Sequence, residues 1–335
     1  MATLLDNWSE ILRTQNLAGE RRMDAVSRWL LIVRASVFPM TLVSGAIGGL
    51  LALGGPDRAD ANPAHFLLAL AGILLAHAAN NMINDWFDLE SGVDSNQYVR
   101  GQYAPHPILS GLVSKRGLLA AIAAVNLVDL GILFLLARAH GWPIVAFALL
   151  GLFVSVFYVA PPLLLKHRGL GEPGVFLVWG PFMIGGTYLA TTGHIAPWVI
   201  AASLPYACLV MAVLVGKHVD KIEADTAKGI HTLPVLLGEE QGRRLAQGLI
   251  LGFFALVATL VLAGTLSVWT LLCFFALKRA GPVLATLGKP KPAAPPENFP
   301  IWPLWHVAWV FVLTRLAGGL FVLGLAIDAF LPWHL

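Results

Sequence analysis

The sequence predicts an all-α, polytopic membrane helix bundle with nine transmembrane helices, on three observations. Of its 335 residues, 57% are hydrophobic and only 12% charged, with a mean hydropathy of +0.74. Soluble chains carry about 25% charged and about 45–50% apolar residues, so the excess suits an outer face in contact with lipid. Nine apolar stretches in the chain are close to the length that spans a hydrocarbon layer as a helix, about 20 residues. Lys and Arg fall almost wholly in alternate loops, the pattern of a chain threaded back and forth across a bilayer.

Residues 1–28 precede the first span. Leu4–Arg28 mix apolar and charged residues at near-helical spacing, as a segment lying along the interface does. No short apolar run followed by a small-residue cleavage site marks a signal peptide. The transmembrane domain covers residues 29–328, with spans at Trp29–Leu53, His65–Trp86, Leu118–Ala137, Pro143–Pro161, Val175–Thr192, Ala196–Gly216, Leu245–Gly264, Ser267–Leu287 and Pro303–Leu325. The seventh and eighth lie so close in sequence that they form a tight antiparallel hairpin. Residues 289–300, rich in proline, read as an extended cytoplasmic linker without chemistry.

Orientation follows from the cations. Arg13, Arg21, Arg22 and Arg28 precede the first span, and Arg100, Lys115 and Arg116 occupy loop 2–3. Lys166 and Arg168 lie in loop 4–5, Lys217, Lys221, Lys228, Arg243 and Arg244 in loop 6–7, and Lys278, Arg279, Lys289 and Lys291 in loop 8–9. The opposite loops offer only Arg58 and Arg138. The expected arrangement is a protein of the cell membrane with its N-terminus cytoplasmic and its C-terminus outside. Cys208 and Cys273 stand in apolar runs without metal spacing and read as small buried hydrophobes. Nothing points to a nucleic-acid partner.

The second span ends in a polar run: His77, Asn80, Asn81, Asn84, Asp85, Asp88, then Glu90 and Asp94. Steps of three and four put His77, Asn80 or Asn81, Asn84 and Asp88 on one helical face. Amides and carboxylates at membrane depth are costly and mark a site or pathway more often than helix packing. A second cluster closes the sixth span: Lys217, His218, Asp220, Lys221, Glu223 and Asp225. By itself it reads equally as a charged loop, but it occupies the same end of the bundle four spans later, as in a weak internal repeat. Mg²⁺ takes oxygen ligands and is held by one or two carboxylates plus substrate phosphates, so facing acidic helix ends suit Mg²⁺ and a diphosphate. The greasy tail of an allylic diphosphate would lie among the apolar helices.

Asn84-Asp85-Trp86-Phe87-Asp88 followed by Ser91-Gly92-Val93-Asp94 resembles the first Asp-rich motif of the UbiA superfamily of intramembrane prenyltransferases, and its ending resembles the menaquinone-type branch that prenylates dihydroxynaphthoate. Pro107–Ser114, Tyr158–Pro162 with Arg168–Glu172, Gly180-Pro181 with Gly185–Tyr188, and Glu223-Ala224-Asp225 with Gly229–Leu233 resemble further segments of that branch. The resemblance implies a UbiA-like nine-span fold with a lateral opening to lipid. It also implies two Mg²⁺ and transfer of a polyprenyl group from an isoprenoid diphosphate to an aromatic or other small acceptor. By position, Asn84, Asp88 and Asp94, with Asp85 beside them, would serve one Mg²⁺. Asp225 with Asp220 or Glu223 would serve the other, with Asp88 and Asp225 the essential pair. Arg100, Lys166, Arg168 and Lys221 would face the diphosphate.

Two departures stand out. The family's Arg-Asp pair in the second motif is Asp220-Lys221 here, with the charges inverted, and the Arg before the Pro-x-x-Ser-Gly segment is His106. Either a one-residue rewinding restores Asp220 as a ligand, or Glu223 substitutes and Lys221 contacts diphosphate. Trp86, Phe87, Tyr98, Tyr103 and His106 could cage a carbocation, though aromatic residues favour an interface anyway. Arg34 reads as a snorkelling or diphosphate-adjacent cation, and Trp302, Trp305, His306 and Trp309 as an interfacial belt. A terpene cyclase shares the ionisation step and remains an alternative. A cation-coupled transporter fits less well, because its site would lie at mid-membrane.

Overall fold

The computed structural model describes residues 3–19, 21, 23–55, 60–94, 99–297, 299 and 301–335. Arg22, Arg58 and Tyr98 lie outside the described residues, as does Pro300 of the linker. The spanning helices are α1 (Ala35–Gly54), α2 (Pro63–Glu90), α3 (Lys115–His140), α4 (Trp142–Phe157), α5 (Gly171–Thr192), α6 (Pro197–Val219), α7 (Glu239–Leu262), α8 (Val268–Leu287) and α9 (Trp305–Phe330). Among the described residues eight of these are long and apolar enough to cross a membrane, and α4, with 16 residues, is shorter. The only bridge between extended segments joins Arg168 to His231 among the described residues.

Local chemistry sets the boundaries. Asn62 caps α2 by accepting from Ala64 and His65 N–H, with Pro63 in the first turn, and Ser114 caps α3 through Gly117 N–H. Gly180 and Pro181 break the regular winding of α5, and the Ser44 hydroxyl donates to the Trp179 carbonyl at 2.7 Å beside that kink. The largest core gathers on α6, where Tyr206 and Leu209 join Phe253 of α7 and Phe321 of α9. In contrast, Leu127, Val128, Leu130 and Phe134 of α3 are exposed, as a lipid-facing helix requires.

The first span begins later than its apolar run. Ala25–Ile32 is a separate short helix, Arg34 turns left-handed at φ +54°, and α1 restarts at Ala35. That conformation costs a non-glycine residue about 1–2 kcal/mol. Asn81 helps hold it by donating to the Val33 carbonyl at 2.9 Å.

Small residues let α1 approach its neighbours. A Cβ on Gly48 would fall 2.5 Å from the Ile184 carbonyl oxygen of α5 and 2.8 Å from Thr187 Cβ. Gly48→Ala is expected to cost about 1–3 kcal/mol by overpacking. A melting curve in detergent checks this; an unchanged Tm would show that α1 and α5 separate freely.

The linker at 289–300 is more engaged than its composition suggests. Lys291 donates to the Asp220 carbonyl at 3.0 Å, and the Lys289 carbonyl faces His306 Nε2 at 3.1 Å. Proline supplies the extended backbone, but these bonds tie it to the ends of α6 and α9.

Candidate functional site

A cavity of about 740 Å³ runs from the acidic end of the bundle down between the helices. Its deeper walls are apolar, with Leu133, Leu136, Phe147, Leu152, Phe182 and Met183. Its polar end is lined by Arg34, Asn84, Asp88, Asp94, Arg100, Tyr103, Tyr158, Lys166, Lys217 and Lys221.

The polar stripe of α2 divides its work. His77 faces the Thr41 hydroxyl at 2.7 Å, Asn80 accepts from the Ser155 hydroxyl at 2.9 Å, and Asn81 holds the turn before Arg34. Closer to the helix end, Asn84 and Asp88 face the cavity. Lys166 Nζ donates to both carboxylate oxygens of Asp88, at 2.9 and 3.1 Å. Asn84 Oδ1 and Asp94 Oδ2 are buried without a hydrogen-bond partner. Asp94 also sits 3.6 Å from both Arg100 Nη1 and His106 Nε2. Burial first, and then the Asp88 carboxylate, pushes the Asp94 carboxyl above its ordinary range.

Asp85, expected as a metal ligand, is turned out of the cavity. It is fully buried and paired with the guanidinium groups of both Arg34 and Arg100. It therefore fixes two cations at the cavity's polar end. Although Asp85, Asp94 and His106 bring ligand atoms within 4.8 Å of one another, those guanidiniums already neutralise Asp85. His106 Nδ1 accepts from Ile108 and Leu109 N–H at 3.3 Å each, and burial followed by Arg100 and Arg34 pulls its pKa down to about 3. His106 therefore organises its own loop and supplies no cation to the cavity.

The α6 end differs from its expected form. Asp220 does not line the cavity: its carboxylate accepts from the backbone N–H of His306 at 2.9 Å and of Val307 at 3.0 Å, in the first turn of α9. His306 is buried with its Nδ1 2.8 Å from the same carboxylate, so it belongs to this anchor and not to an interfacial belt. Glu223 is exposed and also away from the cavity. Asp225 is fully buried and stands 3.3 Å from Lys221 Nζ, which itself lines the cavity. Burial lowers the Lys221 pKa, and Asp225 opposes that shift. The structure therefore brings lysines, not a second set of carboxylates, to this side of the cavity.

Arg168, expected at the diphosphate, is exposed and donates to the Pro162 carbonyl at 3.1 Å. Of the described aromatic residues considered for a cage, only Tyr103 lines the cavity; Trp86 instead carries Lys115 over its ring at 5.9 Å. Tyr158 and Lys217 line it too; the sequence marks one within a resembling segment and the other within the α6 cluster, but assigns neither to the site. Burial raises the Tyr158 phenol well above its ordinary value.

Two loops meet at this end. Lys228 donates to the Gly92 carbonyl at 2.9 Å, and Val93 packs with Ile230 and Ala224. Glu172 accepts from Leu233 N–H at 3.1 Å and faces His218 Nδ1 at 2.6 Å, joining α5, α6 and the loop beyond.

Residues 41–304 match the UbiA prenyltransferase family. The chain belongs to that family. Digeranylgeranylglyceryl phosphate synthase of Natronomonas pharaonis is 32% identical over 211 residues, covering 61% of this chain and 69% of that protein. The 1,4-dihydroxy-2-naphthoate octaprenyltransferase of Bacillus subtilis is 26% identical over 225 residues, covering 67% of this chain and 70% of that one. Among solved structures, a UbiA homolog from Archaeoglobus fulgidus bound to GPP and Mg²⁺ shares the fold, with a TM-score of 0.62 and 18% identity over 88% of this chain and 99% of that chain. As a UbiA family member, the chain is an intramembrane prenyltransferase, and the cavity described above is its candidate active site.

Proposed function

We propose that this chain transfers a prenyl group from an isoprenoid diphosphate to an acceptor at the cavity, with Mg²⁺ held by Asn84, Asp88 and Asp94. The observation that carries the reading is an apolar chamber whose polar end brings buried oxygens of Asn84 and Asp94 that accept no hydrogen bond together with Arg34, Arg100, Lys166, Lys217 and Lys221. Such an all-oxygen donor set fits a hard cation. When bound, Mg²⁺ neutralises diphosphate charge and improves it as a leaving group. The alternation of basic loops supports a cytoplasmic position for this end.

Lys166 moves between Asp88 and the diphosphate, and Lys217 and Lys221 contact phosphate oxygens from the α6 side. In this reading the lysines supply the positive charge for which a second acidic motif would recruit a second metal. The bond from C1 of the prenyl chain to oxygen breaks with its electron pair leaving on diphosphate. An acceptor nucleophile then donates a pair to C1 and loses a proton. Tyr103 and Tyr158, kept neutral by burial, present polarisable rings near that charge.

The test uses purified full-length protein in liposomes with Mg²⁺ and geranylgeranyl diphosphate. Acceptor arms contain 1,4-dihydroxy-2-naphthoate or a glyceryl ether phosphate. Acceptor-dependent diphosphate release, abolished by EDTA and restored by Mg²⁺, is the expected result. Release with a cyclic hydrocarbon and no acceptor would replace transfer by cyclisation. No release under any condition would overturn the reading.

A further inference from the structure

Arg315 lies in the middle of an apolar span, about 15 Å along α9 from Trp305 by helical rise. A cation within a spanning helix is costly without a purpose. Its Nη2 donates to the Ser36 carbonyl at 2.8 Å, its Nε is buried without a hydrogen-bond partner, and its guanidinium stands 4.4 Å from the Phe311 ring centre. No carboxylate pairs with it among the described residues.

Two spaces meet at this side chain. Arg315 and Arg13 line both the main cavity and a shallower groove of about 470 Å³ beneath the N-terminal helix Leu4–Thr14. Leu5, Trp8 and Leu12 supply the apolar wall of that groove. Acids of the same N-terminal region are already engaged: Asp6 in its own capping box, Glu10 with Arg21 at 2.5 Å, and Asp24 with Ser27 and Trp8. Arg315 thus faces the mouth between the two spaces with no described counter-charge, and beside it Arg13 has only Glu10, which Arg21 already holds. The mouth also lies near the reacting end of the cavity: Ser36 is two residues from Arg34, about 7 Å of chain at most, and Arg34 is paired with Asp85.

We propose that Arg13 and Arg315 bind the anionic head group of an amphiphilic acceptor, whose apolar part lies against Leu5, Trp8 and Leu12. The charge selects a phosphate or carboxylate, and the groove selects an attached hydrocarbon. A guanidinium holds such a group through paired, charge-assisted hydrogen bonds. This inference deepens the prenyl-transfer reading and rests on it.

The test measures KM for matched acceptors: a long-chain glyceryl ether with and without its phosphate, using full-length protein with Mg²⁺ and geranylgeranyl diphosphate. Arg13→Gln and Arg315→Gln are each expected to raise KM for the phosphorylated acceptor about tenfold or more, the worth of a charge-assisted hydrogen bond. KM for the unphosphorylated partner and for the diphosphate stays unchanged, and Arg315→Lys recovers part of the loss. Arg13 is exposed, so its variant reports even where Arg315→Gln fails to fold. Equal KM changes for both acceptors, or none, would overturn the proposal. So would a thermal stabilisation by phosphatidylglycerol vesicles that needs Arg315 while acceptor KM does not, since this assigns the groove to bulk lipid. Thermal-shift titration with the two ethers reads the site without turnover. If wild-type protein binds the phosphate selectively yet releases no diphosphate, the prenyl-transfer reading fails and the anion site stands.

Discussion

Asp88→Ala is expected to lower kcat by about 10²–10³ or more, the scale seen when a group that stabilises developing charge is removed. The variant loses a carboxylate from the Asn84, Asp88 and Asp94 oxygen set. It also leaves Lys166 buried beside the cavity without the partner that holds it at 2.9 Å. Lost turnover must therefore be separated from lost fold. Asp88→Asn keeps the shape and an acceptor oxygen but removes the charge, so it should retain more stability than alanine while remaining nearly inactive. Adding Lys166→Met to Asp88→Asn should recover thermal stability, because both charges are then gone, without recovering diphosphate release. Single-turnover release and a melting curve on the same preparations check this. Activity within threefold of wild type for either single variant would remove Asp88 from the chemistry.

Much of the architecture was legible because the physics that forms it is local in sequence. Apolar runs near 20 residues and alternating basic loops report a bundle without knowledge of any contact. The α2 stripe was legible for the same reason, since a period of 3.6 puts Asn84 and Asp88 on one face. What escaped depends on partners far along the chain. Asp85 sits one residue from Asn84 and looks like another ligand, but Arg34, 51 residues earlier, and Arg100, 15 later, claim it. The break before α1 falls inside an apolar run, and the Asn81 side chain that supports it comes from another helix. Arg315 is silent in the sequence because a single charge hardly changes the hydropathy of a span.

Asp220 is the sharpest case, and Asp220→Ala carries the second large expected effect. The inverted Asp220-Lys221 pair suggests a displaced metal ligand when read along the chain. In the fold, Asp220 closes the first turn of α9 from 86 residues away. It accepts from the second and third N–H groups of that helix, which have no intrahelical acceptor, and stands at the positive end of the helix dipole. His306 completes the arrangement, with one ring nitrogen at Asp220 and the other at the Lys289 carbonyl. Alanine would leave two buried N–H groups and the imidazole without that carboxylate, a loss of about 3–5 kcal/mol for one side of a buried pair. The expected result is a lowered Tm and faster proteolysis at the linker 289–300. In the fraction that remains folded, the Mg²⁺ concentration for half-maximal activity should be unchanged. Asn retains one acceptor oxygen and should fall between alanine and wild type. A variant that melts normally but needs tenfold more Mg²⁺ would return Asp220 to the metal and show that the end of α6 rewinds when substrate binds. With the Mg²⁺ requirement constant, Lys221 rather than Asp220 is the member of the inverted pair that faces the diphosphate.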